Sequence, residues 1–128
     1  MGRSSSRRAD IHRLLRRPFF YRIFTWMLNT IPFILPVKRL RETEALLAFF
    51  HPRPSHPFHV LLLPKQPVRS LADLEPASPF LADLIAAAQS IVAEYHLPAY
   101  RLILNGGEYQ DFPHLHFHLI SEASNVER

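Results

Sequence analysis

The chain contains no cysteine among its 128 residues. This absence excludes disulfide bonds, thiolate zinc sites and a cysteine nucleophile, so any metal ion would need histidine or carboxylate ligands. Internal repeats and low-complexity segments are also absent from the sequence. A hydrophobic content of 48% in a chain of this length is enough for one domain with its own core. We therefore expect one globular domain.

Acidic residues are scarce near the N-terminus, where residues 1–22 contain seven arginines and one aspartate. The net charge of +4 thus combines +6 in this segment with −2 in the rest of the chain. Basic clusters of this kind are attracted to anionic surfaces. The pattern gives no reason to predict a specific nucleic-acid partner, because the basic residues belong to a terminal segment that continues into an apolar one.

That apolar segment, residues 18–36, is a poor candidate for a membrane-spanning helix. Arg22, Asn29 and Pro32 interrupt it, and its length barely reaches that of a bilayer core. With its flanking arginines it resembles an interfacial anchor. Three interpretations stay open for residues 1–36: a basic and apolar helical extension that contacts a membrane or a partner protein, a helix packed on the domain, or a targeting segment or misassigned start. We expect a cytoplasmic protein, with peripheral membrane contact as the alternative.

The organised part of the chain begins near Val37, and we assign residues 37–128 to one domain. Apolar runs predict strands at residues 44–50, 58–63, 100–104 and 114–120. A helix follows the second strand, with Ser78 as its N-cap, Pro79 at its first position and an end before Pro98. The order ββαββ with short connections predicts an α+β domain, in which one main helix packs across an antiparallel sheet.

Three histidines alternate with apolar residues in the run HLHFHLI: His114, His116 and His118. Because successive side chains of a strand point to opposite faces, the three imidazole rings are expected to share one face. The alternate residues, Leu115, Phe117 and Leu119, are expected to face the core. The pattern therefore predicts an amphipathic strand with a histidine face.

Three interpretations of the histidine face stay open. The rings are ordinary exposed residues, or they ligate a metal ion, or the central ring is a nucleophile supported by its neighbours. Crowded imidazoles cannot all be protonated at low cost, so repulsion lowers their pKa values and keeps at least one ring neutral. The turn Asn105-Gly106-Gly107 either aims backbone N–H groups at a phosphate or is a plain hairpin turn.

The run from His114 to Ile120 resembles the signature of the histidine triad (HIT) superfamily of nucleotide hydrolases and transferases. Gln110 stands four residues before the first histidine, as in that family. The segment from Tyr100 to Asn105 resembles the family's strand that ends in an active-site asparagine. The segment from His59 to Lys65 resembles the strand that carries a fourth histidine. Together these matches cover roughly residues 38–122, in the element order derived above.

The resemblance implies a nucleotide substrate and transfer through a nucleotidyl-histidine intermediate, without a metal ion or cofactor. It assigns His116 as the nucleophile that attacks the α-phosphorus of a nucleoside phosphoramidate or phosphoester. His114 and His118 are implied to bond that ring and the phosphate oxygens. Four further residues are implied to lie at the phosphate or to support the triad: His59, Asn105, Gly107 and Gln110. For His59, the alternative interpretation is a histidine at a strand edge whose ring nitrogens have hydrogen-bond partners and which has no role at the site.

Two alternatives to a hydrolase follow from departures from the family pattern. Asp111 stands where a hydroxyl residue is usual, and His51 stands where an acidic residue often binds the ribose. The first alternative is a catalytically weak or inactive binding or regulatory module, docked through its basic N-terminus. The second is a histidine metal-binding protein.

The resemblance also implies a homodimer, in which the helix and the strand before the triad form the interface. Four apolar residues would permit such burial, and they could equally serve the core of the monomer: Leu84, Ala88, Leu102 and Leu104.

Overall fold

A computed structural model describes residues 38–122, which form an antiparallel five-stranded sheet with one main helix packed across it. The strands are β1 (Arg39–Glu42), β2 (Leu46–Phe50), β3 (Phe58–Pro64), β4 (Arg101–Leu104) and β5 (Phe117–Ser121), and the helix α1 spans Pro79–Glu94. Two short 3-10 turns lie at Leu71–Asp73 and Gly107–Tyr109. The predicted α+β class is confirmed. The extension assigned to residues 1–36 lies outside the described residues.

The last strand of the chain occupies an inner position of the sheet, whose order is β1-β2-β3-β5-β4. β5 is therefore paired on both sides, and the register sets His118 opposite Leu61 of β3 and opposite Ile103 of β4. Directly opposed residues place their side chains on the same face of a sheet. The pairing fixes which side chains surround the histidines.

The helix begins as predicted, because the Ser78 hydroxyl accepts a hydrogen bond from the Phe80 N–H and Pro79 occupies the first helical position. One face of the helix packs on the sheet, and the residues buried there are Phe80, Leu84, Ala87, Ala88 and Ile91. Ile85, which the periodicity places on that face, is instead half-exposed. Leu84 and Ala88 are already buried within the monomer, which leaves the half-buried Leu102 and Leu104 as the candidates for an interface.

The structure has one strand that the sequence did not predict, and the four predicted strands have boundaries shifted by one to three residues. β1 was not expected, because its sequence RLRE is mostly charged; Arg41 holds it to the helix by bonding Ser90 and Glu94, far away in sequence. β5 begins at Phe117 rather than His114. β3 ends at Pro64, and proline has no N–H with which to extend the ladder. No helix among residues 38–122 is long and apolar enough to cross a bilayer.

Candidate active site

The β5 segment is amphipathic as its alternation predicts. Leu115 and Leu119 are fully buried, and Phe117 is partly buried against the core beneath the helix. On the opposite face, the rings of His116 and His118 meet edge to face with their centroids 5.0 Å apart. The core contacts of the apolar residues thus hold two imidazoles side by side on the face of the sheet opposite the helix.

The ring of His116 is oriented by a main-chain contact. Its Nδ1 atom lies 2.7 Å from the carbonyl oxygen of His114. A carbonyl oxygen only accepts, so Nδ1 carries the proton and donates it. The neutral ring therefore has its lone pair on Nε2, at the end of the imidazole that is free to act as a nucleophile.

The orientation of His118 is set by His59, which lies on β3. The backbone N–H of Ser55 donates to Nδ1 of His59 at 3.2 Å, so the proton of that ring belongs to Nε2. The Nε2–H group of His59 then donates to Nδ1 of His118 at 2.9 Å. In turn, the proton of His118 belongs to Nε2. Two neighbouring rings thus have opposite tautomers: His116 has its lone pair at Nε2, and His118 has a donor at Nε2.

His114 is a buried residue whose ring anchors the segment before β5. It is 2% exposed, and its Nε2–H group donates to the carbonyl oxygen of Pro64 at 2.9 Å. The resemblance implied that its ring bonds His116 or the phosphate. The structure instead brings the His114 carbonyl oxygen to the His116 ring, while the His114 ring binds the end of β3.

Two rings are kept neutral at the pH of the cell. Burial lowers the pKa of His114 to about 4, against the opposing effect of its bond to Pro64. Burial also lowers the pKa of His118 to about 4, with smaller contributions from His116 and His51. Repulsion among the rings therefore lowers these pKa values as predicted, but burial is the larger cause of the decrease. A neutral His118 can donate a hydrogen bond through Nε2 without charge.

The loop between β4 and β5 contains two further predicted residues. Leu104 pairs with Phe117, so Asn105 follows β4 next to the segment that carries His116. Gly107 begins the short 3-10 turn and has a φ angle of +58°, a left-handed conformation that a glycine adopts without strain. The register thus places Asn105 beside the histidine segment, and the phosphate-binding role of Gly107 stays a prediction.

Gln110 has a different environment from the one that the resemblance implied. It is 3% exposed, and its Nε2 atom donates to the carbonyl oxygens of Arg69 and Phe112 at 2.6 and 2.7 Å. Its Oε1 atom is buried and accepts no hydrogen bond from residues 38–122. Both amide protons are thus committed to the main chain, and Gln110 ties the loop before the triad to the segment after β3.

Two histidines of the proline-rich loop 51–57 also lie in the cluster. The sequence analysis noted His51 only as the residue at the position that often binds the ribose, and it did not single out His56. The His51 ring lies 4.5 Å from that of His59 and 6.4 Å from that of His118, and burial lowers its pKa. The His56 ring lies 5.6 Å from that of His59. The signal available was their closeness in sequence to His59. Within residues 38–122, no group of three or more histidine or acidic side chains is arranged to hold a metal ion.

Comparisons with known proteins agree with this geometry. The sequence model of the HIT domain family matches residues 35–125. An uncharacterised HIT-like protein of Azospirillum brasilense is 33% identical over 93 residues, which cover 68% of this chain and 76% of that protein. An adenosine 5'-monophosphoramidase of Schizosaccharomyces pombe is 28% identical over 92 residues, covering 70% of this chain and 68% of the yeast protein.

Solved structures show the same fold. A HIT family hydrolase from Clostridium thermocellum superposes with a TM-score of 0.67 at 27% identity, covering 83% of this chain and 94% of that one. The sheet, the helix and the row of histidines define an α+β domain with an imidazole-lined face. The chain belongs to the HIT domain family, as a divergent member.

Proposed function

We propose that this protein is a nucleotide hydrolase that cleaves the bond between the α-phosphate of a nucleoside phosphoramidate, or a related phosphoester, and its leaving group. The observation that carries the proposal is the pair of opposite tautomers on His116 and His118. One ring offers a lone pair and its neighbour offers a proton donor, as an in-line displacement at phosphorus requires. The similarity to a yeast adenosine 5'-monophosphoramidase supports an adenosine phosphoramidate as the probe.

In the first step, Nε2 of His116 donates its electron pair to phosphorus. The P–N bond breaks with its electron pair going to nitrogen, which takes a proton from solvent and leaves as an amine. The His116 ring becomes positively charged, and the His114 carbonyl oxygen stabilises it through the Nδ1–H bond. Nε2–H of His118 bonds the phosphate or the leaving atom, and the family resemblance assigns Asn105 and Gly107 to the phosphate oxygens.

In the second step, water attacks the phosphorus of the nucleotidyl-histidine. The P–Nε2 bond breaks, its electron pair returns to the His116 ring, and the water proton is released to solvent. The sum of the two steps is phosphoramidate plus water giving nucleoside monophosphate plus amine. No metal ion or cofactor takes part, because imidazole and backbone N–H groups supply the charge stabilisation.

The experiment combines the protein with adenosine 5'-phosphoramidate and follows AMP release, with mass spectrometry to detect a nucleotidyl adduct. We expect turnover with wild type and loss of both adduct and turnover with His116→Ala. Gln89→Ala serves as the matched control, because Gln89 is exposed on the helix, remote in sequence from the histidines. If wild type and His116→Ala release AMP at the same rate, the hydrolase proposal is wrong.

A binding or regulatory module is the second candidate, and Asp111 favours it. Its carboxylate acts electrostatically on His118, so it lies close enough to oppose a phosphate at the histidine face. In that case AMP binds without turnover of the phosphoramidate. Calorimetric titration detects the binding of AMP, and binding combined with no AMP release in the turnover assay above supports the module over the hydrolase.

A further inference from the structure

His51, the first residue after β2, lies on the same face of the sheet as the histidines. Its N–H group donates to the carbonyl oxygen of His59 at 2.9 Å, so the pairing of β2 with β3 continues one residue beyond Phe50. Directly opposed residues share a face, which places His51 on the face of His59 and His118. The His51 ring lies 4.5 Å from that of His59 and 6.4 Å from that of His118.

The His51 ring is a hydrogen-bond donor at Nε2. The backbone N–H of Arg53 donates to Nδ1 of His51 at 2.9 Å, so Nδ1 is the acceptor and Nε2 carries the proton. Among residues 38–122, this Nε2–H group donates to no acceptor. His118 has the same tautomer, because it accepts a hydrogen bond from His59 at Nδ1. The site therefore contains two donors, one on the ring next to the nucleophile and one on the ring beyond it.

The loop that begins at His51 brings positive charge to this end of the site. Residues 51–57, HPRPSHP, include no acidic residue. Arg53 is exposed, and its guanidinium group forms no ion pair within the part of the chain that the structure describes. Glu122 contacts the loop at its other end, where the carboxylate lies 3.6 Å from Nε2 of His56. Because the main chain of Arg53 contacts the His51 ring, its side chain can extend toward a ligand bound to that ring.

The chemistry of His51 and Arg53 differs from that of the acidic residue which often binds the ribose at position 51 in the family pattern. A carboxylate accepts hydrogen bonds from the ribose hydroxyl groups. The Nε2–H group of His51 and the guanidinium group of Arg53 only donate. Donors with a permanent positive charge bind most strongly to an anionic acceptor, and a guanidinium group suits a phosphate in particular. The exchange of an acceptor for donors therefore favours a ribose that carries a phosphate.

We propose that His51 and Arg53 form a subsite for a phosphate group on the ribose, so that the preferred substrates are nucleoside 5'-phosphoramidates with a second phosphate on the 2' or 3' oxygen. The inference rests on the proposed function, because it names the substrate of the same reaction. The P–N bond at the 5' phosphorus breaks as described above. The ribose phosphate keeps all its bonds and leaves with the nucleoside monophosphate.

The kinetic test compares adenosine 5'-phosphoramidate with its 2'-phosphate and 3'-phosphate derivatives. The ratio of kcat/KM for a derivative to kcat/KM for the parent compound measures recognition of the ribose phosphate. We expect wild type to favour one derivative by about ten-fold, the order of effect of one charge-assisted hydrogen bond. The favoured isomer identifies the ribose oxygen that bears the phosphate. If wild type favours neither derivative over the parent compound, the proposal is wrong.

Two substitutions of His51 separate the effect of charge from that of local structure. Aspartate and asparagine both have a side-chain oxygen that can accept from the N–H two residues on, as Nδ1 of His51 does. His51→Asp should reverse the preference, because a carboxylate repels the ribose phosphate and accepts from ribose hydroxyl groups. His51→Asn should keep a reduced preference, which Arg53 supplies. A preference that survives both His51→Asp and Arg53→Gln would overturn the proposal.

Arg101→Gln is the matched control for Arg53→Gln. Arg101 is an exposed arginine on the same face of the sheet, but it lies on β4, which β3 and β5 separate from β2. Arg53→Gln should lower the preference for the phosphorylated compound several-fold, and Arg101→Gln should retain it. An equal decrease in the two variants would show that net charge causes the preference, and would contradict the subsite.

Binding of unreactive ligands distinguishes failure of the subsite from failure of the hydrolase reaction. Calorimetric titration compares AMP with adenosine 2',5'-bisphosphate and adenosine 3',5'-bisphosphate, none of which has a P–N bond. Tighter binding of a bisphosphate that requires His51 and Arg53 supports the subsite, and without turnover of adenosine 5'-phosphoramidate it leaves only the hydrolase reaction refuted. Turnover of that compound, combined with equal binding of AMP and both bisphosphates, refutes the subsite alone.

Discussion

The Nε2 atom of His59 and the Nδ1 atom of His118 lie 2.9 Å apart, across the pairing of β3 with β5. One hydrogen bond thus joins two residues that are 59 positions apart in sequence. Because Ser55 occupies the other nitrogen of His59, this bond determines which nitrogen of His118 carries the proton. We therefore propose that His59 is a positioning residue, which acts through His118, rather than a catalytic one.

Substitutions of His59 test the effect of its hydrogen bond on kcat separately from the effect of its packing on stability. His59→Leu fills the buried position but removes the donor to His118, and we expect kcat for adenosine 5'-phosphoramidate to fall about ten-fold, the effect of losing one buried hydrogen bond. His59→Gln keeps an N–H group near the Nε2 position and should recover most of this loss. Urea unfolding of both variants is the control. Equal kcat in the two variants would contradict the role.

Stability should fall as the pH falls from about 6.5 to about 4, because His114 is buried as a neutral ring. The unfolded state binds a proton with the ordinary pKa of histidine, whereas the folded state resists it until about pH 4. Unfolded chains thus bind more protons in this window, and the free energy of unfolding decreases by about 3 kcal/mol. Above pH 6.5 this contribution is constant.

Urea unfolding at several pH values checks the His114 contribution when wild type is compared with His114→Gln. Glutamine keeps an N–H donor for the Pro64 carbonyl but does not titrate. The difference between the two free-energy curves should therefore change between pH 6.5 and 4 and be flat above. Parallel curves over the whole range would show that His114 does not cause the loss.

Asp111→Asn should lower KM for adenosine 5'-phosphoramidate by about three-fold at low salt, because it removes a negative charge that acts on the histidine face. The difference from wild type should shrink as ionic strength rises. Glu108→Gln is the control, since it removes a charge from the same exposed loop. A KM that is unchanged, or that changes equally in both variants, argues against a specific effect of Asp111.

Gln110→Ala should destabilise the fold, because it removes the two hydrogen bonds that the Gln110 amide donates to the carbonyl oxygens of Arg69 and Phe112. We expect a loss of about 1–3 kcal/mol in the free energy of unfolding. Gln89→Ala, at an exposed helical position, should have a negligible effect. An unaltered unfolding curve for Gln110→Ala would return this residue to the phosphate-binding role that the family pattern implies.

We propose that the protein is a homodimer that pairs through β4, the edge strand of the sheet. Leu102 and Leu104 are half-buried there and would be covered further by a second copy. Light scattering at micromolar concentration should return twice the chain mass. A single-chain mass over a concentration series would remove the proposal, and with it the idea that the sheet continues across an interface.

Local patterns were sufficient for most of the fold. The Ser78-Pro79 cap and the alternation of the triad with Leu115 and Leu119 are properties of neighbouring residues, and both were predicted correctly. β1 was missed because its charged side chains are held by Ser90 and Glu94, and sequence spacing does not reveal that contact.

The site was harder to predict than the fold, because its tautomers depend on distant partners. Sequence spacing does not reveal that the Gln110 amide donates to two carbonyl oxygens, or that His114 turns its ring toward Pro64. His51 was noted only as the residue at the ribose position, and His56 was not singled out, because their loop has the pattern of a proline-rich connection. In each case a contact between segments far apart in the chain determines what a residue can do.

The inner position of β5 links the sheet to the histidine face. Residues 117–121 form the last of the five described strands, yet they lie between β3 and β4, which precede them in the sequence. Without β5, the facing edges of β3 and β4 would have unpaired backbone groups, and His118 would not lie beside His59. Closure of the sheet and assembly of the histidine face therefore depend on the same strand, so under the proposed function we expect a chain without this pairing to be inactive.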